Sequence, residues 1–322
     1  MKELNLLKIF LLDNNFNRID SFENKFRDIE HNSLLYGKIL DLFNGTNMHK
    51  SNNYKNIVQI GGTGGDTLKT INVSTLAAMT VASMGYKIIK TGSGSFTGKM
   101  GSADFFLKMV HSFGMNKCLL LNPDNALKKF NFFFSRALIY YPWLSKIHQL
   151  KKIFSEQLFN ELFENMDRNE MNSKIKIDGI SSYNVSERLE HYIYYHYKKV
   201  LILHGATENS ELYLDEASNI GETHVAALIN GKIYRLTLLP EDFRDKKTLK
   251  VEDMVCNGRR EIYKSDVSIL RGNGNDGFLD IVVINAAIYI NFINNFKLNL
   301  KKLYKEIKKH ISEGLVINHF LR

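Results

Sequence analysis

Cysteine is nearly absent from this 322-residue chain, with Cys118 and Cys256 the only two. Two thiols cannot build a disulfide framework, so a reduced, intracellular setting is expected. Proline is as scarce, at 3 residues, beside many Lys, Asn and Ile, a usage that reads as codon bias rather than function. No apolar run approaches the roughly 20 residues of a membrane-spanning helix. The longest, residues 281–290, carries Asn285. The opening M-K-E-L-N-L-L-K-I-F-L-L-D is broken by Lys8 and Asp13 and meets no small-residue cleavage site, so it does not read as a signal peptide. Internal repeats and low-complexity tracts are missing as well. A cytoplasmic protein without a membrane segment is expected.

What remains is ordinary globular composition, 44% hydrophobic and 24% charged, which excludes a disordered or collagen-like chain. The length allows one large domain or two modest ones. The 43 Lys and Arg against 34 Asp and Glu give a formal charge of +9. This suits anionic ligands without singling out nucleic acid. The paired basics Lys198-Lys199, Arg259-Arg260, Lys301-Lys302 and Lys308-Lys309 are scattered rather than blocked, the pattern of a solvated surface.

Residues 1–50 read as helices, with Leu34, Leu35, Ile39, Leu40 and Phe43 near helical spacing. Residues 57–60 form a short apolar strand that runs into the glycine-rich loop 61–66. A helix over 74–84 stopped by Gly85, a strand over 86–90, a second Gly/Ser loop over 92–98 and a helix from Ser102 to Gly114 follow, with Cys118–Leu121 as a third strand. Strand, helix, strand at short spacing predicts βαβ units and a parallel sheet. Cys118 reads as a small core residue. Residues 128–165 return to helix, with an apolar stripe through Leu144, Ile147, Leu150, Phe154, Leu158 and Leu162, and 165–176 read as a polar loop. Trp143 either fills core volume or stacks on a ligand. Residues 191–197, rich in Tyr and His beside Lys198-Lys199, predict a half-buried helix leading into the next strand in preference to a base-stacking surface. A fourth strand over 199–204 ends at His204, which serves either as a ligand contact or as a hydrogen-bonded structural histidine. Asn230-Gly231 between apolar runs 224–229 and 232–238 predicts a hairpin. Helices near 280–292 and 298–311 close the chain.

The loop Gly61-Gly62-Thr63-Gly64-Gly65-Asp66 is neither a P-loop nor a dinucleotide fingerprint, and alone it reads equally as a tight turn. Its continuation, Thr70-Ile71-Asn72-Val73-Ser74-Thr75, gathers hydroxyls at a helix start, where free N–H groups favour a phosphate. Lys90 then brings a cation to the same edge of the sheet, the edge where parallel sheets bind ligands.

These residues resemble the anthranilate phosphoribosyltransferase family. Its G-T-G-G-D is matched by Gly62, Thr63, Gly64, Gly65 and Asp66, its N-x-S-T by Asn72, Ser74 and Thr75, its K-H-G-N-R-S by Lys90, Gly92 and Ser95, and its G-S-A-D by Gly101-Ser102-Ala103-Asp104. Late signatures match too: Leu203-His204-Gly205, Leu214-Asp215-Glu216, Leu239-Pro240-Glu241-Asp242-Phe243, Asp280-Ile281-Val282-Val283-Ile284-Asn285-Ala286-Ala287 and Ile311-Ser312-Glu313-Gly314. The resemblance covers nearly the whole chain from about residue 56. It implies Mg2+-dependent transfer of phosphoribose from PRPP to the amine of anthranilate. It implies PRPP binding by Gly62, Thr63, Gly64, Gly65, Asp66, Asn72, Ser74, Thr75 and Lys90, and Mg2+ ligation by Ser74, Asp215 and Glu216. Hard oxygen ligands suit that ion. Read by itself, an Asp-Glu pair is usually a solvated turn. A homodimer and an active site between two domains are implied as well.

The implied fold is an α/β protein with a mostly parallel central sheet flanked by helices and a smaller all-helical domain. The small domain takes residues 1–50 with about 128–170, and the large α/β domain takes 51–127 and 171–322. Departures from the family gather on the acceptor side. K-H-G-N-R reads Lys90-Thr91-Gly92-Ser93-Gly94, Y-H-P reads Tyr140-Tyr141-Pro142, and the substrate-binding Arg falls at Lys151, which lacks the planar fork that grips a carboxylate. Thr91, Gly92, Ser93, Tyr141 and Lys151 are thus the acceptor-side candidates. Thr67 replaces a glycine, the loop from His204 to Asp215 is long, and the Gly-Pro and Asn-Pro elements around Phe159-Asn160-Glu161-Leu162 are gone. Three readings remain: an anthranilate enzyme with a rebuilt pocket, the same PRPP chemistry on another aromatic or heterocyclic acceptor, or a non-enzymatic paralogue that binds nucleic acid.

Overall fold

The structure, a computed structural model, describes residues 7, 8, 38, 39, 41–43, 54–64, 66–68, 70–94, 100–141, 143, 146, 150, 154, 171–181, 184–245 and 249–322. Gly65, Ser95 and Lys151 lie outside these residues, as do Leu144, Ile147, Leu158, Leu162 and 159–161. The chain divides into two units, Met1–Asn53 with Arg136–Asn172 and Tyr54–Ser135 with Ser173–Arg322.

The larger unit is built on an 8-stranded sheet. Its elements are β1 (Val58–Gly62), α1 (Val73–Ser83), β2 (Ile88–Gly92), α2 (Ser102–Ser112), α3 (Cys118–Leu121), α4 (Pro123–Phe130), β3 (Phe132–Arg136), then α5 (Ala137–Tyr140) of the smaller unit. Next come β4 (Ile175–Gly179), α6 (Val185–Tyr194), β5 (Lys199–Ala206), β6 (Tyr213–Leu214), β7 (Thr223–Ile229), β8 (Lys232–Leu238), α7 (Arg259–Leu270), α8 (Asp276–Ile293), α9 (Leu300–Ser312) and α10 (Leu315–Phe320). The strand order is β3-β2-β1-β4-β5-β7-β8, with β6 also on β5. Strands β2, β1, β4 and β5 run parallel, in register at Val58, Ile88, Ile175 and Lys199. The β6, β7 and β8 pairings are antiparallel. Asn230 and Gly231 both take positive φ, 51° and 75°, which closes the expected hairpin with a turn matched to strand twist.

Three expectations need correction. Cys118–Leu121 is the helix α3, not a strand. Asn116 accepts from the Cys118 N–H at 3.0 Å, and of its leucines Leu119 is buried while Leu121 is 68% exposed. A four-residue apolar run reads either way, and here it follows a turn in which Asn116 engages the Cys118 N–H. The outer strand is instead β3, inside the stretch expected to be helical, because α4 stops at Asn131 in the left-handed region (φ 53°). Residues 128–135 accordingly belong to the larger unit. The supposed loop ending at Lys176 contains the start of β4, a central strand between β1 and β5. Its Lys176 and Asp178 broke the apolar pattern, yet both are buried, with Asp178 accepting from Arg188 at 3.2 Å and from the Tyr192 hydroxyl at 2.6 Å.

The core forms where α1, packed on β1 and β2, meets α8. Both helices are buried almost all round, the mark of interior helices. Helix α8 is long and apolar enough to cross a membrane, yet 89% of it is buried inside the protein, where it acts as the core helix. Helix α6 lays Leu189 and Tyr192 on Val200, Ile202 and Ala226, which is the half-buried helix expected there. In the smaller unit Trp143 is 1% exposed, edge-on to Phe43 at 5.2 Å, and so fills core volume.

Candidate active site

Glycine ends three of the four parallel strands, β1 at Gly62, β2 at Gly92 and β4 at Gly179. The ends of β1 and β4 and the loop after β1 meet the segment leaving β6. A Cβ on Gly62 would strike the Asp215 carboxylate, and one on Gly179 would overlap the Asp215 carbonyl. Glycine therefore lets the Asp215 backbone lie against the strand ends. The loop holds that segment by hydrogen bonds. The Gly64 N–H donates to Asp215 Oδ2 (2.8 Å), and the Asp215 N–H donates to Asp66 Oδ1 (2.6 Å). Thr67 and Leu68 N–H both reach the Tyr213 carbonyl, and the Tyr213 N–H returns to the Thr67 hydroxyl at 2.6 Å. The Thr63 N–H is engaged by the Gly179 carbonyl. The Thr63 and Gly64 amides are thus engaged by Gly179 and Asp215 within the protein.

Asp66, Asp215 and Glu216 place ligand-capable oxygens within 4.8 Å of one another. Asp215 and Glu216 are 8% and 7% exposed, and Glu216 Oε2 is buried without a hydrogen-bond partner. Burial and the neighbouring carboxylates hold the Glu216 pKa well above the usual range. Three crowded carboxyls, Asp215 and Glu216 buried and Asp66 partly exposed, with one orphaned oxygen fit a divalent cation with a preference for oxygen. Lys90 is 3% exposed and its Nζ donates to the Thr91 carbonyl at 2.7 Å. Burial lowers its pKa to about 8, against the attraction of Asp215 and Glu216. A cation and three carboxylates therefore share one edge of the sheet.

Asn72 stands at the start of α1, where its N–H and side-chain Nδ2 both donate to the buried Asp266 of α7, at 3.1 and 2.7 Å. Ser74 is partly exposed in the first turn, whereas Thr75 is wholly buried and its hydroxyl has no partner. Helix α8 supports the carboxylate segment from behind. Asn285 accepts from the Ala217 N–H (2.9 Å) and donates to the Ala217 carbonyl (3.0 Å). Asp280 accepts from Asn219 Nδ2 and pairs with Arg244 at 2.8 Å. Asp266, Asn285 and Asp280 were not among the candidate site residues. The last two sit in a family signature whose roles the sequence left blank.

On the acceptor side, the Thr91 hydroxyl accepts from buried Gln59 at 3.0 Å. Gly92 packs on Ser102 and Phe134, and the Ser93 carbonyl accepts from the Ala103 N–H at 3.0 Å. Tyr141 belongs to the smaller unit, where it is 2% exposed. His204 is fully buried with Nδ1 3.0 Å from the Ile180 carbonyl, which makes it the structural histidine of the two readings.

Comparison with known proteins agrees on one family. The model of the glycosyl transferase family, a/b domain, matches residues 54–316. The anthranilate phosphoribosyltransferase of Sulfolobus acidocaldarius is 32% identical over 244 residues, 74% of this chain and 67% of that protein. That of Buchnera aphidicola is 30% identical over 273 residues, 82% and 75% of the two chains. Among solved structures, anthranilate phosphoribosyltransferase from Thermus thermophilus aligns with a TM-score of 0.66 at 19% identity, covering 88% of this chain and 82% of that one. The Saccharomyces cerevisiae enzyme in complex with PRPP and Mg gives 0.65 at 20% identity, over 88% and 77%. At these identities the structures establish the shared fold.

Proposed function

This chain belongs to the glycosyl transferase family, as a phosphoribosyltransferase related to the anthranilate phosphoribosyltransferases, and from that premise we propose that it moves the phosphoribosyl group of PRPP to the amine of anthranilate. In that reaction the amine nitrogen bonds to C1 of the ribose and the C1–oxygen bond breaks. Its electron pair leaves with pyrophosphate, and the amine gives up a proton. Charge builds on the leaving group and on an oxocarbenium-like sugar, so the protein's task is alignment and electrostatic stabilisation.

The observation that carries this reading is the cluster of Asp66, Asp215 and Glu216 beside buried Lys90, at the carboxyl ends of the parallel strands. Asp215 and Glu216, with Ser74, are the residues that would hold Mg2+. When bound, that ion supplies positive charge to the leaving pyrophosphate. Lys90, only 3% exposed, meets an anion with little competition from water. Asn72 and the first turn of α1 face the donor as polar groups, and Asp66 and Gly64 keep Asp215 in place. Gly65, Thr63, Gly62 and Thr75 complete the proposed donor site, and Thr91, Gly92, Ser93, Tyr141 and Lys151 the acceptor side.

A second acceptor stays in view because the stretch after Lys90 carries no further charge: Thr91, Ser93 and Gly94 stand where the family has His, Asn and Arg, and Thr91 is tied to Gln59. Another aromatic or heterocyclic amine would suit such a surface. Membership in a family of enzymes favours turnover over a role confined to nucleic-acid binding. The homodimer and the cytoplasmic setting are part of the proposal and rest on the resemblance. The test is one mixture of protein, Mg2+, PRPP and anthranilate, followed by loss of anthranilate fluorescence and release of pyrophosphate. Both signals are expected. Stabilisation by PRPP without reaction would move the proposal to the second acceptor, and no response to PRPP would overturn it.

A further inference from the structure

Asn72 is held in a way that decides what it can offer a ligand. Its backbone N–H and its Nδ2 both donate to the Asp266 carboxylate, and its carbonyl accepts from the Thr75 and Leu76 N–H groups. Asp266 is 0% exposed and pairs with no cation among the described residues, so Asn72 is its hydrogen-bonding partner. Once ionised, above the value of about 7 to which burial raises it, the Asp266 carboxylate only accepts, so it fixes which way the amide turns. The amide NH2 faces Asp266. The atom left for a ligand is Oδ1, an acceptor, which has no hydrogen-bond partner among the described residues. An acceptor repels phosphate oxygen and matches a hydroxyl.

Resting on the reading that this site binds PRPP, we propose that Asp266 is a positioning residue that presents the Asn72 carbonyl to a ribose hydroxyl of the donor. Asn72 thereby recognises the sugar, while the phosphates fall to Lys90 and the first turn of α1. The bidentate bond couples α7 to the donor site across 194 residues of sequence.

The experiment compares two probes at pH 8, above the value of about 7 to which burial raises the Asp266 carboxyl. PRPP with Mg2+ and pyrophosphate with Mg2+ are titrated calorimetrically into wild-type protein, Asp266→Asn and Asn72→Ala. The Asp266→Asn variant is expected to bind PRPP about tenfold more weakly, the loss of one charge-assisted bond, with pyrophosphate binding unchanged. KM for PRPP rises while kcat holds. Adding Asp266→Asn to Asn72→Ala is expected to cost nothing more, since both act through one group. Equal weakening of both probes, or no weakening of either, overturns the inference alone. Failure of wild-type protein to bind PRPP overturns the donor reading and this inference with it. Should Asp266→Asn fail to fold, Asp266→Ser, which brings no charge into the core, is judged by the same criteria.

Discussion

The side-chain amide of Asn285 pairs with both backbone polar groups of Ala217, at 2.9 and 3.0 Å, as a neighbouring strand would. Its Nδ2 also donates to the Ile281 carbonyl at 2.9 Å, so every contact is internal to the core. Ala217 follows Glu216 directly, which makes the helix α8 a rigid backing for the carboxylate pair. Asn285→Leu is expected to leave the Ala217 N–H and C=O buried and unpaired, at a cost of about 2–4 kcal/mol. Urea denaturation measures that loss. Stabilisation by Mg2+ with PRPP is expected to fall with it, and an unchanged ligand response would show that Glu216 is held by other means.

Gly179 lies against the same segment at Asp215. The space its Cβ would need is occupied by the Asp215 carbonyl, a backbone atom that no rotamer change moves aside. Gly179→Ala is expected to displace Asp215 or to destabilise the fold by more than about 2 kcal/mol, in the range of overpacked cores. The neighbouring Gly64 has φ of 68° and open space around it, so Gly64→Ala strains the backbone without a clash. A smaller loss of stability is expected there, of about 1 kcal/mol. Thermal melts of the two variants give the ordering, and the reverse order would contradict the packing argument.

Glycines and hydroxyls adjacent in sequence made the donor loop readable from the chain, since a turn after a strand and a helix start are local features. Asp215-Glu216 is local too, but its meaning is not: burial beside Asp66 and Lys90 is created only when β1, β2 and β6 converge. Asp266 gave no signal at all, and Asn285 stood in a family motif with no role attached to it. Each is one polar residue on an otherwise apolar helix face, and its partner lies 194 or 68 residues away. Strand β4 was lost for a related reason. Its Lys176 and Asp178 look like loop residues until Arg188 and Tyr192 close over Asp178. In α3 the error ran the other way, because four apolar residues satisfied a strand pattern while the turn in which Asn116 accepts from the Cys118 N–H leads into a helix.

Crowding of Asp66, Asp215 and Glu216 without a cation is a liability of the ligand-free fold. Paired substitution Asp215→Asn with Glu216→Gln removes two buried acidic groups while keeping shape. The protein is expected to fold and to melt at or above the wild-type temperature in the absence of Mg2+, because burying crowded carboxyls is costly even beside Lys90. Turnover and the Mg2+-dependent gain in melting temperature are both expected to vanish. Calorimetric scans with and without Mg2+ separate the two effects. Full activity in this variant would remove Asp215 and Glu216 from the metal site.

Asp266 gives the stability a pH dependence that can be assigned to one residue. Burial raises its carboxyl from the ordinary 3.8 to about 7, opposed by the two hydrogen bonds from Asn72. The unfolded chain ionises this group near pH 4, while the folded chain keeps the proton until near pH 7. Between those values the folded state binds more protons, so its stability falls as pH rises. The slope reaches at most about 1.4 kcal/mol per pH unit and flattens above pH 7, where both states are ionised. Glu216 titrates in the same direction, but it is present in wild-type protein and in Asp266→Asn alike and cancels in their difference. Lys90, lowered to about 8, changes charge above this window. The stability of Asp266→Asn relative to wild type is therefore expected to improve steadily from pH 4 to pH 7. Urea denaturation of both proteins at unit pH steps measures the trend, and parallel curves would show that the Asp266 carboxyl is ionised throughout.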